Sequence, residues 1–274
     1  MPVLGLGTWR MGEDASRRAA EIAAVREAIV LGYRLIDTAE MYGEGGAETV
    51  VGQAVAEALR AGDVRREALF IVSKVYPHNA SRRGTREACE RSLKRLGLDA
   101  IDLYLLHWRG NPPLRDTVDA MQSLVADGRI AHWGVSNFDT DDMEELEPLA
   151  GSGPVCAANQ VYLSLGERGT EFSLLPWQHE RGMPLMAYSP IDQGALAGDK
   201  ALGELAVRLG VTAAQLALAA VIARPGVAAI PKAVRAAHLK ENLAAAELKL
   251  DAATLEELDR LHPPPRRKAP LAMI

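Results

Sequence analysis

Cysteine is almost missing from this chain. Among 274 residues there are two, Cys89 and Cys156, far apart and outside any CxxC, which argues against a disulfide framework or a zinc site and leaves both as reduced packing residues. Positive charge is not in surplus either. The formal net charge is -5, so no broad basic face is offered to a phosphate backbone, and a nucleic-acid partner is not expected. No uninterrupted apolar run is long enough to cross a bilayer, and Met1 to Arg10 lacks the cationic and apolar parts of a signal peptide. The expectation is a cytoplasmic protein without a membrane partner. The dinucleotide fingerprint GxGxxG is also wanting: Leu4-Gly5-Leu6-Gly7-Thr8 has no third glycine, and no helix follows at once, which counts against a doubly wound open sheet.

What is present is a full complement of core material, 48% hydrophobic and 24% charged residues, as expected of a globular chain able to bury a core. A cycle of helix, glycine, short β-rich run and polar loop repeats along it. Arg17 to Leu31 sets Ile22, Val25, Ile29 and Val30 on one helical face, Gly32 offers a left-handed stop, and Arg34 to Asp37 follows as a strand. Further strands are predicted at Val3–Leu6, Leu69–Lys74, Ile101–His107, Ile130–Val135, Val155–Gln160, Pro184–Tyr188 and Gly226–Ile230. Eight buried parallel strands alternating with helices in a chain this long predict an α/β fold, a single (β/α)8 TIM barrel over 1–274. Thr212 to Gln215 reads as a capping box, so the helix before it, about Ala201 to Leu209, is additional, giving one or two extra helices. Residues 262–274, with three prolines followed by Arg266-Arg267-Lys268, predict an irregular C-terminal tail whose charges are solvated.

Four side chains fall where such a barrel keeps its chemistry, at the carboxyl ends of the strands. Asp37, Lys74 and His107 close predicted strands two, three and four, and Tyr42 lies in the loop after strand two. Alone, each has a plain explanation: a turn cap, a solvated strand end, a core histidine, a loop-packing ring. Together they form a proton-delivery set. A phenol near pKa 10 is a poor acid, but a neighbouring ammonium stabilises its phenolate, and a lowering of ~2 units corresponds to about 2.7 kcal/mol.

The chain resembles the aldo-keto reductases. The likeness is carried by Gly5-Leu6-Gly7-Thr8-Trp9, Gly32 to Ala39 with Tyr42-Gly43, Ile71 to Lys74 and Asp102 to Trp108, and in order by Gly134 to Phe138, Asn159-Gln160, Ala187 to Pro190 and Ile230-Pro231-Lys232. It covers essentially the whole chain and looks nearest to bacterial reductases of small aldehydes such as methylglyoxal. It implies an NAD(P)H-dependent oxidoreductase that turns small aldehydes or ketones into alcohols, with no metal. By that resemblance Tyr42 is the general acid, Lys74 lowers its pKa, Asp37 pairs with Lys74, and His107, a neutral imidazole beside the lysine, binds the carbonyl oxygen.

The resemblance also assigns cofactor positions. Tyr188 stacks on the nicotinamide, Ser136, Asn137 and Gln160 hold its carboxamide, and Ser189, Pro190, Ile191, Gln193 and Gly194 cover the pyrophosphate. Lys232, Arg235, His238, Glu241 and Asn242 fall at the adenosine end. Ala233 stands where many members have serine, and His238 where many have arginine. An imidazole lacks the planar fork of a guanidinium, so NADPH is expected with NADH as a possible substitute and Arg235 compensating. Trp9 and Trp108 wall the substrate mouth. A brief tail is expected to leave the site open. The hairpin that commonly precedes the first strand is not seen before Met1-Pro2-Val3, so an exposed lower mouth is expected. The protein is expected as a monomer or weak oligomer. Two competing readings are a cofactor-binding regulatory subunit on the same fold with little turnover, and a metal-dependent barrel hydrolase using His107 and His132.

Overall fold

A computed structural model describes residues 1–274. The strands are β1 Gly5–Gly7, β2 Leu35–Asp37, β3 Phe70–Val75, β4 Ile101–Leu106, β5 Ile130–Ser136, β6 Asn159–Tyr162, β7 Leu185–Tyr188 and β8 Val227–Ala229. Each pairs in parallel with the next in sequence order. The ring closes through Leu4 against Ala229 and Gly7 against Lys232, with Ala229 N–H donating to Val3 O at 2.9 Å and Gly7 N–H to Pro231 O at 3.1 Å. The helices are α1 Arg18–Leu31, α2 Gly46–Ala61, α3 Arg82–Leu96, α4 Leu114–Ala126, α5 Thr140–Leu146, α6 Leu174–Glu180, α7 Lys200–Arg208, α8 Ala213–Ile222, α9 Ala236–Ala246 and α10 Ala252–Leu261. Two exceed the eightfold pattern: α7, between β7 and α8, and α10, which leads into the tail.

Local signals account for the helix ends. Ser81 Oγ accepts from Gly84 N–H to start α3, and Gly97 stops it with φ 65° while its N–H returns to Leu93 O. Thr212 and Gln215 cap α8 reciprocally, as the capping box predicted. Between β5 and β6 the pattern misleads: the expected strand from Val155 begins only at Asn159, and Val155 stands 68% exposed. The residues that β6 turns toward the surrounding helices are instead Val161 and, just beyond, Leu163, both fully buried.

Inside the barrel, side chains alternate by strand period and fill it in layers. Phe70 is half-buried and His132 exposed at the floor, but Leu35, Val72, Leu103 and Ala228 one layer above are sealed from solvent. The lower mouth is therefore shallow. Leu105, Met186 and Ile230 continue this apolar filling, and toward the carboxyl ends of the strands inward positions turn polar: Asp37, Lys74, Ser136 and Gln160, all buried. No single helix is long and apolar enough to cross a membrane.

Candidate active site

Register places Asp37, Lys74 and His107 on one rim, and Tyr42 joins them from the loop after β2. Asp37 ends β2, Lys74 lies in β3 and His107 follows β4, its N–H donating to Val75 O at 3.1 Å. Tyr42 opens a tight turn of Tyr42–Gly45 ahead of α2. That turn is pressed against the β1–α1 loop so closely that a Cβ on Gly12 would lie 2.1 Å from Gly46 C. Only backbone fits between them, which fixes where the tyrosine ring enters the barrel.

Lys74 Nζ is saturated by short contacts. It donates to both Asp37 oxygens at 2.9 and 2.8 Å, to Thr38 O at 2.9 Å and to Tyr42 Oη at 3.2 Å. Asp37 Oδ1 also accepts from Gln160 Nε2 at 2.7 Å. His107 meets Tyr42 edge to face at 5.6 Å between centroids, and its Nδ1 is buried without a protein partner.

The electrostatics follow from burial. Removal from water depresses the Lys74 ammonium, with Asp37 opposing that fall. Burial, joined by the Lys74 charge, holds His107 well below its ordinary value and hence neutral at pH 7, in agreement with the expected imidazole donor. Tyr42 departs from expectation. Its hydroxyl is pushed well above 10 rather than lowered, first by burial and then by the Asp37 carboxylate. Burial is the larger cause, and Asp37, which binds Lys74 at shorter range than the phenol does, adds its own charge near the ring. The resting phenol is therefore protonated.

The rim opens into a groove of about 810 Å³. Its walls include Trp9, Asp37, Tyr42, His107 and Trp108, then Ser136, Asn137, Gln160 and Tyr188, then Ser189, Pro190, Ile191, Gln193 and Gly194, and at the far end Lys232, His238, Glu241 and Asn242. Several of these are locked to one another. Tyr188 Oη donates to Asn137 Oδ1 at 2.9 Å, Asn137 Nδ2 donates to His107 O at 3.1 Å, and Ser136 Oγ donates to Gln160 O at 2.7 Å. Asn137 and Ser189 take left-handed backbone, with φ 60° and 47°.

Two further expectations need correction. Arg235 is not part of the groove wall; its guanidinium lies on the His238 ring, three residues along the start of α9. The tail does not leave the site open. Lys268 donates to Asp141 Oδ1 at 2.7 Å, Leu271 packs on the core, and Met273 and Ile274 reach the groove wall. Its charges are thus partly engaged, because the acidic start of α5, Asp139 and Asp141, lies beneath it. The competing hydrolase reading finds no support, since His107 and His132 sit at opposite ends of the barrel and form no common site.

Other wall residues were not anticipated. Arg10, with φ 63°, lays its guanidinium 4.4 Å from the Trp9 ring centroid, at the groove's edge. Thr212, Ala213 and Ala214 bring the start of α8 to the wall. Sequence pattern marked that stretch only as a helix start; its role as a wall depends on where the extra helix α7 delivers it.

The chain belongs to the aldo/keto reductase family, whose model, Aldo/keto reductase family, matches residues 3–263. It is 49% identical over 279 aligned residues to methylglyoxal reductase YeaE of Escherichia coli (strain K12), covering 100% of this chain and 95% of that one. It is 39% identical over 206 residues to glyoxal reductase of Bacillus subtilis (strain 168), covering 75% and 69%. Among solved structures, an aldo-keto reductase from Klebsiella pneumoniae in complex with NADPH superimposes with a TM-score of 0.92 at 47% identity, covering 100% of this chain and 95% of that one.

Proposed function

We propose that the protein reduces small aldehydes and ketones, vicinal dicarbonyls such as methylglyoxal foremost, to alcohols with NADPH as reductant. The observation that carries this reading is Lys74 Nζ held between the Asp37 carboxylate and Tyr42 Oη, 3.2 Å from the latter, on the wall of a groove large enough for a dinucleotide. The groove suits that cofactor in its chemistry as well as its volume. Its walls carry the Tyr188 ring at one end and Lys232, which has no carboxylate partner, at the other. NADPH is also the ligand of the Klebsiella relative, and the dicarbonyl class follows from the names of the two curated relatives.

The reduced nicotinamide, when bound, is the hydride donor. Tyr42 Oη gives its proton to the carbonyl oxygen, and the charge left on the phenolate is met by Lys74 Nζ, which Asp37 keeps charged and in place. The neutral His107 hydrogen-bonds the same oxygen from across the Tyr42 ring. Tyr188 offers a ring face for the nicotinamide, with Ser136, Asn137 and Gln160 at its carboxamide. Ser189, Pro190, Ile191, Gln193 and Gly194 would cover the pyrophosphate. Lys232 and His238 would hold the 2′-phosphate, with Arg235 holding His238, and Glu241 and Asn242 would bound the adenine. Trp9, Trp108 and the tail exclude water around a small substrate. The protein is read as a cytoplasmic monomer or weak oligomer, which sedimentation velocity tests.

The deciding experiment is loss of reduced-nicotinamide absorbance with a panel of small aldehydes and ketones, run with NADPH and NADH in parallel. Turnover is expected with NADPH and dicarbonyls. Tight NADPH binding without consumption across the panel would replace this reading with the regulatory-subunit one.

A further inference from the structure

Two buried carboxylates bracket Tyr42, and the proton transfer proposed above uses neither. Glu40 precedes it in the loop after β2, and Glu48 follows it in the first turn of α2; they are 8% and 0% exposed. Each is paired with an arginine of α3. Arg91 Nη2 reaches Glu40 Oε2 at 3.4 Å, and Arg95 Nε donates to Glu48 Oε2 at 2.6 Å. The two arginines stand one turn apart on the same face of that helix. The free oxygen of each carboxylate is tied to β3 or the loop that leaves it. Glu48 Oε1 accepts from Ser73 Oγ at 2.5 Å, and Glu40 Oε1 accepts from Tyr76 N–H at 2.7 Å and Asn79 Nδ2 at 3.0 Å. Ser73 adjoins Lys74 and, by strand alternation, points the opposite way, out toward the helices.

The segment between the two carboxylates needs holding. Gly43, Glu44 and Gly45 take left-handed backbone in succession, with φ 57°, 52° and 87°, and at a non-glycine residue such as Glu44 that conformation persists only where contacts over-determine it. Arg95 supplies one such contact. A Cβ on Gly45 would lie 2.5 Å from Arg95 Nε and 2.6 Å from its Cδ, so the arginine stem fills the side-chain space at the end of the turn. We propose that the Arg91–Glu40 and Arg95–Glu48 pairs form a two-point clamp by which α3 aims the Tyr42 hydroxyl, 3.2 Å from Lys74 Nζ. The inference rests on Tyr42 being the acid. None of the four clamp residues lines the groove, so all are positioning residues that act through the turn. Their effect is separable from a general effect on the barrel. A residue that only stabilises the scaffold acts whatever stands at position 42, whereas one that aims a phenol matters only while the phenol is there.

The test is a mutant cycle on the full chain. Glu48→Gln, which keeps the shape and removes the charge, and Arg91→Ala are each made in the parent and in Tyr42→Phe. The readouts are kcat for reduction of methylglyoxal by NADPH and, separately, NADPH affinity. Misplacing a positioned acid predicts kcat about 10-fold lower in each single variant with NADPH affinity within about twofold. In the Tyr42→Phe background the same substitutions should change the residual rate by less than about twofold, because residues that act through one another are not additive. Arg91→Ala breaks a half-exposed pair and carries the test should Glu48→Gln fold poorly. A folded variant whose kcat stays within about twofold of the parent, or falls equally in both backgrounds, overturns the clamp alone. A parent that consumes no NADPH, or a Tyr42→Phe protein as fast as the parent, overturns the underlying reading instead, and the two failures are distinguishable.

Discussion

Replacing Tyr42 by phenylalanine isolates the proton donor from the scaffold that holds it. The ring keeps its edge contact with His107 and its place beside Lys74 Nζ, 4.8 Å from its centroid. Lys74 loses one of four acceptors and retains both Asp37 oxygens and Thr38 O. Folding stability should therefore change by no more than about 1 kcal/mol, the net worth of one hydrogen bond. Catalysis should not be so forgiving, since a positioned general acid contributes roughly 10² to 10⁴ in rate. The assay is steady-state reduction of methylglyoxal by NADPH beside a direct measurement of NADPH affinity. The expected result is kcat lower by about 10² to 10⁴ with cofactor affinity within about twofold. A folded Tyr42→Phe protein whose kcat lies within threefold of the parent would falsify the assignment of Tyr42 as acid. Lys74→Met is the poorer probe: it strands Asp37, 2% exposed, with Gln160 as its remaining side-chain donor. Breaking a buried pair this way costs about 3–5 kcal/mol, so lost activity in that variant would not separate chemistry from unfolding.

Four further outcomes are expected. His107, depressed below 6.5 by burial, refuses a proton that the unfolded chain accepts; stability therefore falls as pH drops below about 6.5, by up to about 1.4 kcal/mol per pH unit. Urea titrations at several pH values should show a shallower slope for His107→Gln. His238→Arg supplies the missing guanidinium fork and should shift the ratio of kcat/KM for NADPH over NADH upward by about tenfold; an unchanged ratio would place the 2′-phosphate elsewhere. Lys268→Ala releases the tail from Asp141, an exposed contact, so KM for small aldehydes should rise by no more than about fivefold, and a larger rise would mean the tail does more than wall the groove. Gly52→Ala would bring a Cβ to 2.6 Å from Arg95 O and 2.7 Å from Leu96 O, forcing α2 from α3 at a cost of about 1–3 kcal/mol, read by chemical denaturation.

The barrel was legible because its signals are local. Each strand is a short apolar run, and the predicted stop at Gly32 is a left-handed helix end, as are Gly62 and Gly97 after the next two helices. The rim residues were legible for a related reason: consecutive parallel strands fix which side chains share a layer, so Asp37, Lys74 and His107 could be placed together before any coordinates. What escaped depends on fields and on distant chain. The direction of the Tyr42 shift turns first on burial of the hydroxyl and then on the Asp37 carboxylate nearby, neither of which spacing encodes. Arg235 pairs with His238 across one turn's separation at a helix start, so it serves the groove only through its neighbour. The tail looked solvated because its partners, Asp139 and Asp141, lie more than a hundred residues earlier. Asp192 is the sharpest case. Within Ile191–Gly194 it looks like one more loop residue over a phosphate, and only the space at Gly166 that its Oδ2 fills, beside the bond from Tyr162 Oη, shows that its carboxylate belongs to the strand next door. A groove built from local motifs can thus be outlined from sequence, whereas the contacts that hold its loops in place are set between segments far apart in the chain.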